Sequence, residues 1–348
     1  MRVTTDPVNE ARLAAAVIPT NMLCHLVQLA REREMDSTPW FKGMRLDPHE
    51  IDDPATRVSY RQASEIVARA LAALAQPDLG LVVGCRQDVG NFGLLGLAMK
   101  TAPTFGEAVL LGMTYQRTTG AMLDIDTDTS NTGEVAMTAR APVIMPAILP
   151  FLCEEMFASS LMVARELVGP EFRPLRLELT YPAPAYAGKY AELFQCELHF
   201  DRPCNAMVID SRWMALKFPT YNAVNARQVL DLCERQLADI ASPQSELAAT
   251  VERFLRQHVR ENPPLSAIAG VMHLSERTLR RQLAADGISF SRLHDRIRTE
   301  RALELLHDHN LTISQVGSRI GFADAREFRR AFKRWTGHTP SEAREQMA

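Results

Sequence analysis

Two stretches near the C-terminal end of this 348-residue chain repeat one design, and few folds accommodate such a design twice. In each, a short apolar-periodic segment ends at a turn, a capping residue follows, and a helix begins with one apolar and one arginine-rich face. The first occupies residues 265–285. There Ala269 allows close helix packing, Ser275 stands at the N-cap position, and Asp286-Gly287 ends the helix 276–285. Leu279 and Leu283 lie four apart on one face, while Arg277, Arg280 and Arg281 lie on the other. The second occupies residues 312–336. A short helix closes at Gly321, Asp324 caps the helix 325–336, Phe328, Phe332 and Trp335 form its apolar stripe, and Arg326, Arg329, Arg330 and Lys333 form the opposing basic one.

A single basic helix face reads simply as solvated surface. Its repetition changes that reading, because one helix, residues 291–307, separates the two units. Leu293, Ile297, Ala302 and Leu305 give it a core face, and at 1.5 Å per residue its ~17 residues span about 25 Å. Major grooves recur on one side of B-DNA every ~34 Å, so two such helices can read adjacent grooves of a slightly bent duplex. Arginine suits the task, since its fork matches the O6 and N7 acceptors of guanine as well as phosphate oxygens. The pattern predicts an all-α module with two helix-turn-helix units that binds double-stranded DNA sequence-specifically.

Charge follows the same division. From Ser245 onward 17 basic residues face 13 acidic ones, whereas the preceding part holds 22 against 29. A basic module joined to an acidic one suits a chain of which one part meets a polyanion. The short stretch Ile240-Ala241-Ser242-Pro243-Gln244-Ser245 separates two segments of helical period, which predicts a front domain over 1–240, a linker over 241–245 and a DNA-binding domain over 246–348. The longest apolar run, residues 141–153, is interrupted by three prolines and leads into Glu154-Glu155, so no membrane span is expected. No signal-like segment opens the chain, and a cytoplasmic location is expected. Six cysteines, never spaced as CxxC, suit buried thiols rather than disulfides or a metal site.

The front part contains no convincing catalytic set. Gly90, Gly93 and Gly96 recur every third residue without a P-loop lysine or Rossmann spacing, which suits helix packing and turns. His25, His49 and His199 lack partners at metal-ligand spacing, and Ser159-Ser160, Cys153 and Glu154-Glu155 lack the base and orienting group of a nucleophilic site. Neither catalysis, a metal nor a cofactor is expected. Helical period covers residues 13–34, 60–74, 92–101, 105–115, 145–167 and 222–240, and alternating segments at 122–126, 134–138, 175–180, 197–200 and 206–209 read as strands. The expected fold is α+β, helices with a small antiparallel sheet. Met113, Met122, Met145, Met156 and Met162 suit either a core or an adaptable apolar pocket.

The segments Ile320-Gly321-Phe322-Ala323-Asp324 and Phe328-Arg329-Arg330-Ala331-Phe332-Lys333-Arg334-Trp335-Thr336-Gly337-His338-Thr339-Pro340-Ser341 closely resemble the closing motif of AraC/XylS-family transcription regulators. The resemblance implies a seven-helix DNA-binding domain with base contacts from Arg277, Arg280 and Arg281 in the first unit and Arg326, Arg329 and Arg330 in the second. Two departures stand out: Ala343 replaces a usual aromatic residue, which implies looser packing of the last helix, and Ala325 replaces a frequent serine. Residues 78–84 and 93–108, with Tyr181-Pro182-Ala183-Pro184, Tyr190, Phe194, Phe200 and Asn205, resemble the arabinose-binding-type effector domain of one branch of the family. In that branch amino acids and fatty acids are among the effectors. No effector-binding residue can be assigned from sequence, although Lys100, Lys189 and Arg57 could each pair with a carboxylate. The helix 222–240 resembles the family's dimerisation helix, and burial against its own domain fits equally. Together these features imply a homodimeric regulator, an activator controlled by a small-molecule effector, with RNA polymerase as a further partner. The rival is a ligand-independent dimeric regulator whose front domain is only an interaction platform; a roomy pocket there favours the sensor, a closed core the platform.

Overall fold

The computed structural model describes residues 13–129, 131–142, 145–219, 221–240 and 244–347. The chain divides into two compact units, Met1–Pro243 and Gln244–Ala348. Of the expected linker 241–245, residues 241–243 lie outside the described residues. Ser245 already caps the first helix of the second unit, accepting the Ala248 N–H at 3.2 Å.

In the first unit the helical period over 13–34 conceals a strand. Val17 and Ile18 are β-branched and Pro19 has no N–H, so β1 (Ala15–Pro19) pairs antiparallel with β2 (Arg57–Ser59), and helix α1 starts only at Asn21 (Asn21–Glu32). Ser59 and Gln62 form a reciprocal capping box that starts α2 (Tyr60–Leu74). Next come α3 (Leu79–Cys85), α4 (Gly93–Lys100) and α5 (Phe105–Tyr115). Periodicity missed α3, which is short and glycine-interrupted. Those glycines explain its place: a Cβ on Gly80 would lie 2.6 Å from Glu154 Cβ, and one on Gly84 2.5 Å from the Glu155 carbonyl oxygen. The helix therefore packs nearly backbone to backbone on α6 (Leu149–Val168), whose Phe151, Leu152, Cys153, Met156, Phe157 and Leu161 occupy the domain core.

Five strands form the main sheet in the order β3-β4-β7-β5-β6, with β3 Asp124–Asp128, β4 Glu134–Arg140, β5 Arg176–Glu178, β6 Glu197–His199 and β7 Asn205–Asp210. The expectation of an antiparallel sheet needs correction, because β5 and β6 run parallel, pairing Leu177 with Leu198. A parallel pair requires a crossover. The intervening helix α7 (Ala187–Phe194), also missed by periodicity, supplies it and buries Tyr190 and Phe194, four residues apart. Central β7 is buried over Asn205–Ile209 and registers on β4 with Met207 opposite Met137. The last helix of the unit, α8 (Ala223–Ile240), buries Val229 and Cys233 against its own domain and leaves Val224 67% and Leu232 44% exposed.

The second unit has seven helices among its described residues: α9 (Glu246–Gln257), α10 (Leu265–Val271), α11 (Glu276–Ala285), α12 (Phe290–Leu306), α13 (Ile313–Arg319), α14 (Ala325–Thr336) and α15 (Pro340–Met347). Its core is in two parts. Leu293 and Ile297 of α12 join a cluster with α9, α10 and α11, while Ala302, Leu305 and Leu306 of the same helix join one with α13, α14 and α15. One 17-residue helix thus carries both halves.

Candidate DNA-binding face and internal cavity

Ser275 accepts the Thr278 N–H at 3.1 Å and Asp324 accepts the Arg326 N–H at 2.9 Å, so α11 and α14 both start at side-chain caps. Leu279 and Leu283, and likewise Phe328 and Phe332, are buried, which fixes each helix's roll. That roll turns Arg277, Arg280 and Arg281 on α11, and Arg326, Arg329, Arg330 and Lys333 on α14, to the exposed side. The first face is not purely basic: Arg280 donates to Glu276 at 2.5 Å one turn earlier. Such an exposed pair is weak, about 0–1 kcal/mol, and yields readily to a stronger acceptor.

Arg298, which sequence reading passed over, holds the second half together. It is buried on α12, donates Nε–H to the Ile320 carbonyl at 3.2 Å, and places its guanidinium 3.9 Å from the Phe322 ring centre and 5.4 Å from that of Trp335. The signal was available, since Arg298, Ala302 and Leu305 recur at core-face spacing. Ile320 caps α13 and Phe322 follows the turn, so Arg298 ties α12 to the turn from which α14 departs. At that turn Gly321 has φ +86°, and a Cβ there would lie 2.8 Å from Asn262 Cβ and 2.9 Å from the Arg260 carbonyl oxygen. On α15, Ala343 is buried in the same cluster, and Arg344 donates Nε–H to the Leu306 carbonyl at 3.1 Å.

The first unit has a cavity of about 150 Å³, partly open, between α5, α6 and the sheet. Met113, Met122 and Met156 line it as the pocket reading expects; Met145 and Met162 do not, and Met22, Met99, Met137 and Met207 join from elements that meet only in the fold. None of the candidate carboxylate partners reaches it. Lys100 pairs with Glu166 at 2.6 Å, Lys189 with Asp78 at 2.5 Å, and Arg57 donates to the Pro54 and Thr56 carbonyls.

Two adjacent acids on α6 face different surroundings. Glu154 is buried and accepts hydroxyl hydrogen bonds from Tyr186 at 2.6 Å and Tyr190 at 2.5 Å. Glu155 lines the cavity and accepts a hydrogen bond from Gln87. Loss of hydration pushes both carboxyls up to about 7.

Residues 35–218 match the model of the arabinose-binding domain of AraC transcription regulators, and residues 268–346 match a helix-turn-helix domain. The chain belongs to the AraC/XylS family of transcription regulators. As a member of this family it is a bacterial, non-catalytic DNA-binding regulator with an N-terminal effector-binding domain. It is 29% identical to the ornithine utilization regulator of Pseudomonas aeruginosa over 331 residues, covering 95% of this chain and 97% of that one. It is 23% identical over 335 residues to the regulator VirS of Mycobacterium tuberculosis, at 95% and 97% coverage. A crystal structure of the regulator CdpR from Pseudomonas aeruginosa aligns over 99% of this chain and 100% of that one at 21% identity, with a TM-score of 0.45. Among the described residues no single helix of this AraC-family chain is long and apolar enough to cross a membrane.

Proposed function

We propose that the protein is a homodimeric activator that reads two successive major grooves with a pair of helix-turn-helix units and responds to a small molecule held in its N-terminal cavity. The observation that carries the DNA half is the pair of side-chain-capped helices with exposed arginine faces, borne on one 17-residue helix that spans about 25 Å. Arg277, Arg280 and Arg281 contact bases or phosphates in one groove, and Arg326, Arg329 and Arg330 in the next. The cavity supports the sensor over the platform, since a closed core would leave an effector no place. The name of the ornithine utilization regulator, which aligns along nearly the whole chain, supports a nitrogen-bearing effector of the amino-acid and amine kind. The exposed Val224 and Leu232 of α8 support its use in pairing two copies, with the rest of its apolar surface spent on its own domain. RNA polymerase is the partner through which activation would act.

The test is fluorescence-anisotropy binding to a duplex selected from a random pool. Arg280→Ala and Arg329→Ala should each weaken binding to that duplex by about 1–3 kcal/mol while leaving unrelated duplexes little changed. An equal loss on every sequence would assign these side chains to phosphate.

A further inference from the structure

The polar inventory of the cavity points to a particular ligand chemistry. Among the described residues that line it, Glu155 is the only charged side chain, and there is no lysine, arginine or histidine. Most of the wall is apolar, Met99, Met113, Phe105 and Phe172 among it. Its neutral polar groups are largely committed. Gln116 donates to the Met113 and Ile125 carbonyls and accepts the Ile125 N–H, the Thr119 hydroxyl donates to the Gln116 carbonyl, and that of Ser159 to Met156. A carboxylate offers about four acceptor sites, of which the bond from Gln87 uses one.

Of the cations on the surrounding elements, Arg86 pairs with Glu32, Lys100 with Glu166, Lys189 with Asp78, and Arg165 donates to the Phe172 and Leu193 carbonyls; Arg117, on the turn that supplies Gln116 and Thr119, is exposed, and His25 lies beside Arg86 and Asp88. Asp88 caps the turn before α4 by accepting the Asn91 N–H, and Glu154 turns to Tyr186 and Tyr190. Among the described residues Glu155 has Gln87 as its hydrogen-bond donor and no cation paired with it. A ligand carboxylate in this cavity would meet an acid and no base, and burial without a counter-charge is costly.

We infer that the effector site takes a primary amine on a compact apolar body, with the ammonium seated on the Glu155 carboxylate and the hydrocarbon among the methionine and phenylalanine side chains. The inference rests on the cavity being the effector site. It makes the domain a reader of cationic amines and sets aside fatty acids and any amino acid whose carboxylate would have to enter the cavity. The raised Glu155 carboxyl supports it, because an incoming cation restores the ionised form that burial disfavours. The size fits, as a cavity of about 150 Å³ admits a six-carbon body.

The experiment is a ligand-observed NMR titration of the full-length protein with hexylamine, 1-hexanol and hexanoate at pH 7.5. Hexylamine should bind the wild type at least tenfold more tightly than either of the others. Glu155→Gln, which still accepts the Gln87 bond, should remove that advantage and leave 1-hexanol unchanged. Gly112→Leu should block hexylamine and 1-hexanol alike, since Gly112 lines the cavity and a Cβ there meets only Met99, at 3.7 Å. Hexanoate binding as tightly as hexylamine, or hexylamine failing to bind or binding Glu155→Gln undiminished, would overturn the amine assignment. If 1-hexanol still binds in a Gly112→Leu-sensitive manner, the cavity survives as a ligand site and only the amine assignment falls. If all three bind alike with and without Gly112→Leu, both fall. The comparison of the three ligands on the wild type stands even if a variant fails to fold.

Discussion

Arg298 joins α12 to the turn before α14 through one carbonyl and two rings. Arg298→Ala should cost about 2 kcal/mol or more in urea unfolding of the full chain, from the lost hydrogen bond, the lost cation–π contacts and the space left behind. An unchanged midpoint would mean the guanidinium is incidental to packing. Glu155 carries a pH signature. Its carboxyl is raised from 4.5 to about 7 by burial, so between those values the folded protein holds a proton that the unfolded chain has released. Stability therefore falls as pH rises through that window, by on the order of 3 kcal/mol per group of this kind. Glu154 contributes the same sign. Glu155→Gln should be the more stable protein at pH 8 and show a shallower decline from pH 5 to 8 in chemical denaturation; parallel curves would contradict the burial account.

At the scale of elements, what was legible in the sequence was what repeats. The caps Ser275 and Asp324, the stripes Leu279/Leu283 and Phe328/Phe332, and the core face Leu293, Ile297, Ala302, Leu305 all obey the period of a helix, and all lie where that period puts them. Elements too short to show a period escaped. Strand β1 hides in a helical pattern, α3 has seven residues with glycines four apart, and the parallel β5–β6 pair is only three residues long. For the same reason the cavity was half visible: methionines distant in sequence converge only in the fold, and Glu155 in an apolar helix looks unremarkable until Gln87 and the sheet surround it. Arg298 was overlooked because charge outweighed its position on the core face. Gly321 offers a check on the turn that aims α14. Gly321→Ala must place a Cβ at positive φ against Asn262, so it should destabilise the full chain by about 2 kcal/mol in urea unfolding. A stable Gly321→Ala protein would mean that the turn relaxes freely.

Across the whole molecule, charge follows the family's division of labour, with an acidic part that carries the effector-binding domain and a basic part that carries the helix-turn-helix domain. Binding energy alone connects them. An effector alters DNA affinity only if it binds the DNA-competent arrangement more tightly, and DNA must then raise effector affinity by the same factor. With the arginine contacts proposed above, affinity should fall steeply with salt, and each phosphate-contacting arginine removed should reduce the slope of log K against log salt by about one. The most direct test of the central claim is a dimethyl sulfate protection footprint of the full-length protein on a selected duplex, read at guanine N7. Two protected patches about 10–10.5 base pairs apart are predicted for each protein copy, one lost in Arg280→Ala and the other in Arg329→Ala. A single patch per copy, or two patches that fade together in either variant, would contradict the account of two arginine helices reading successive grooves.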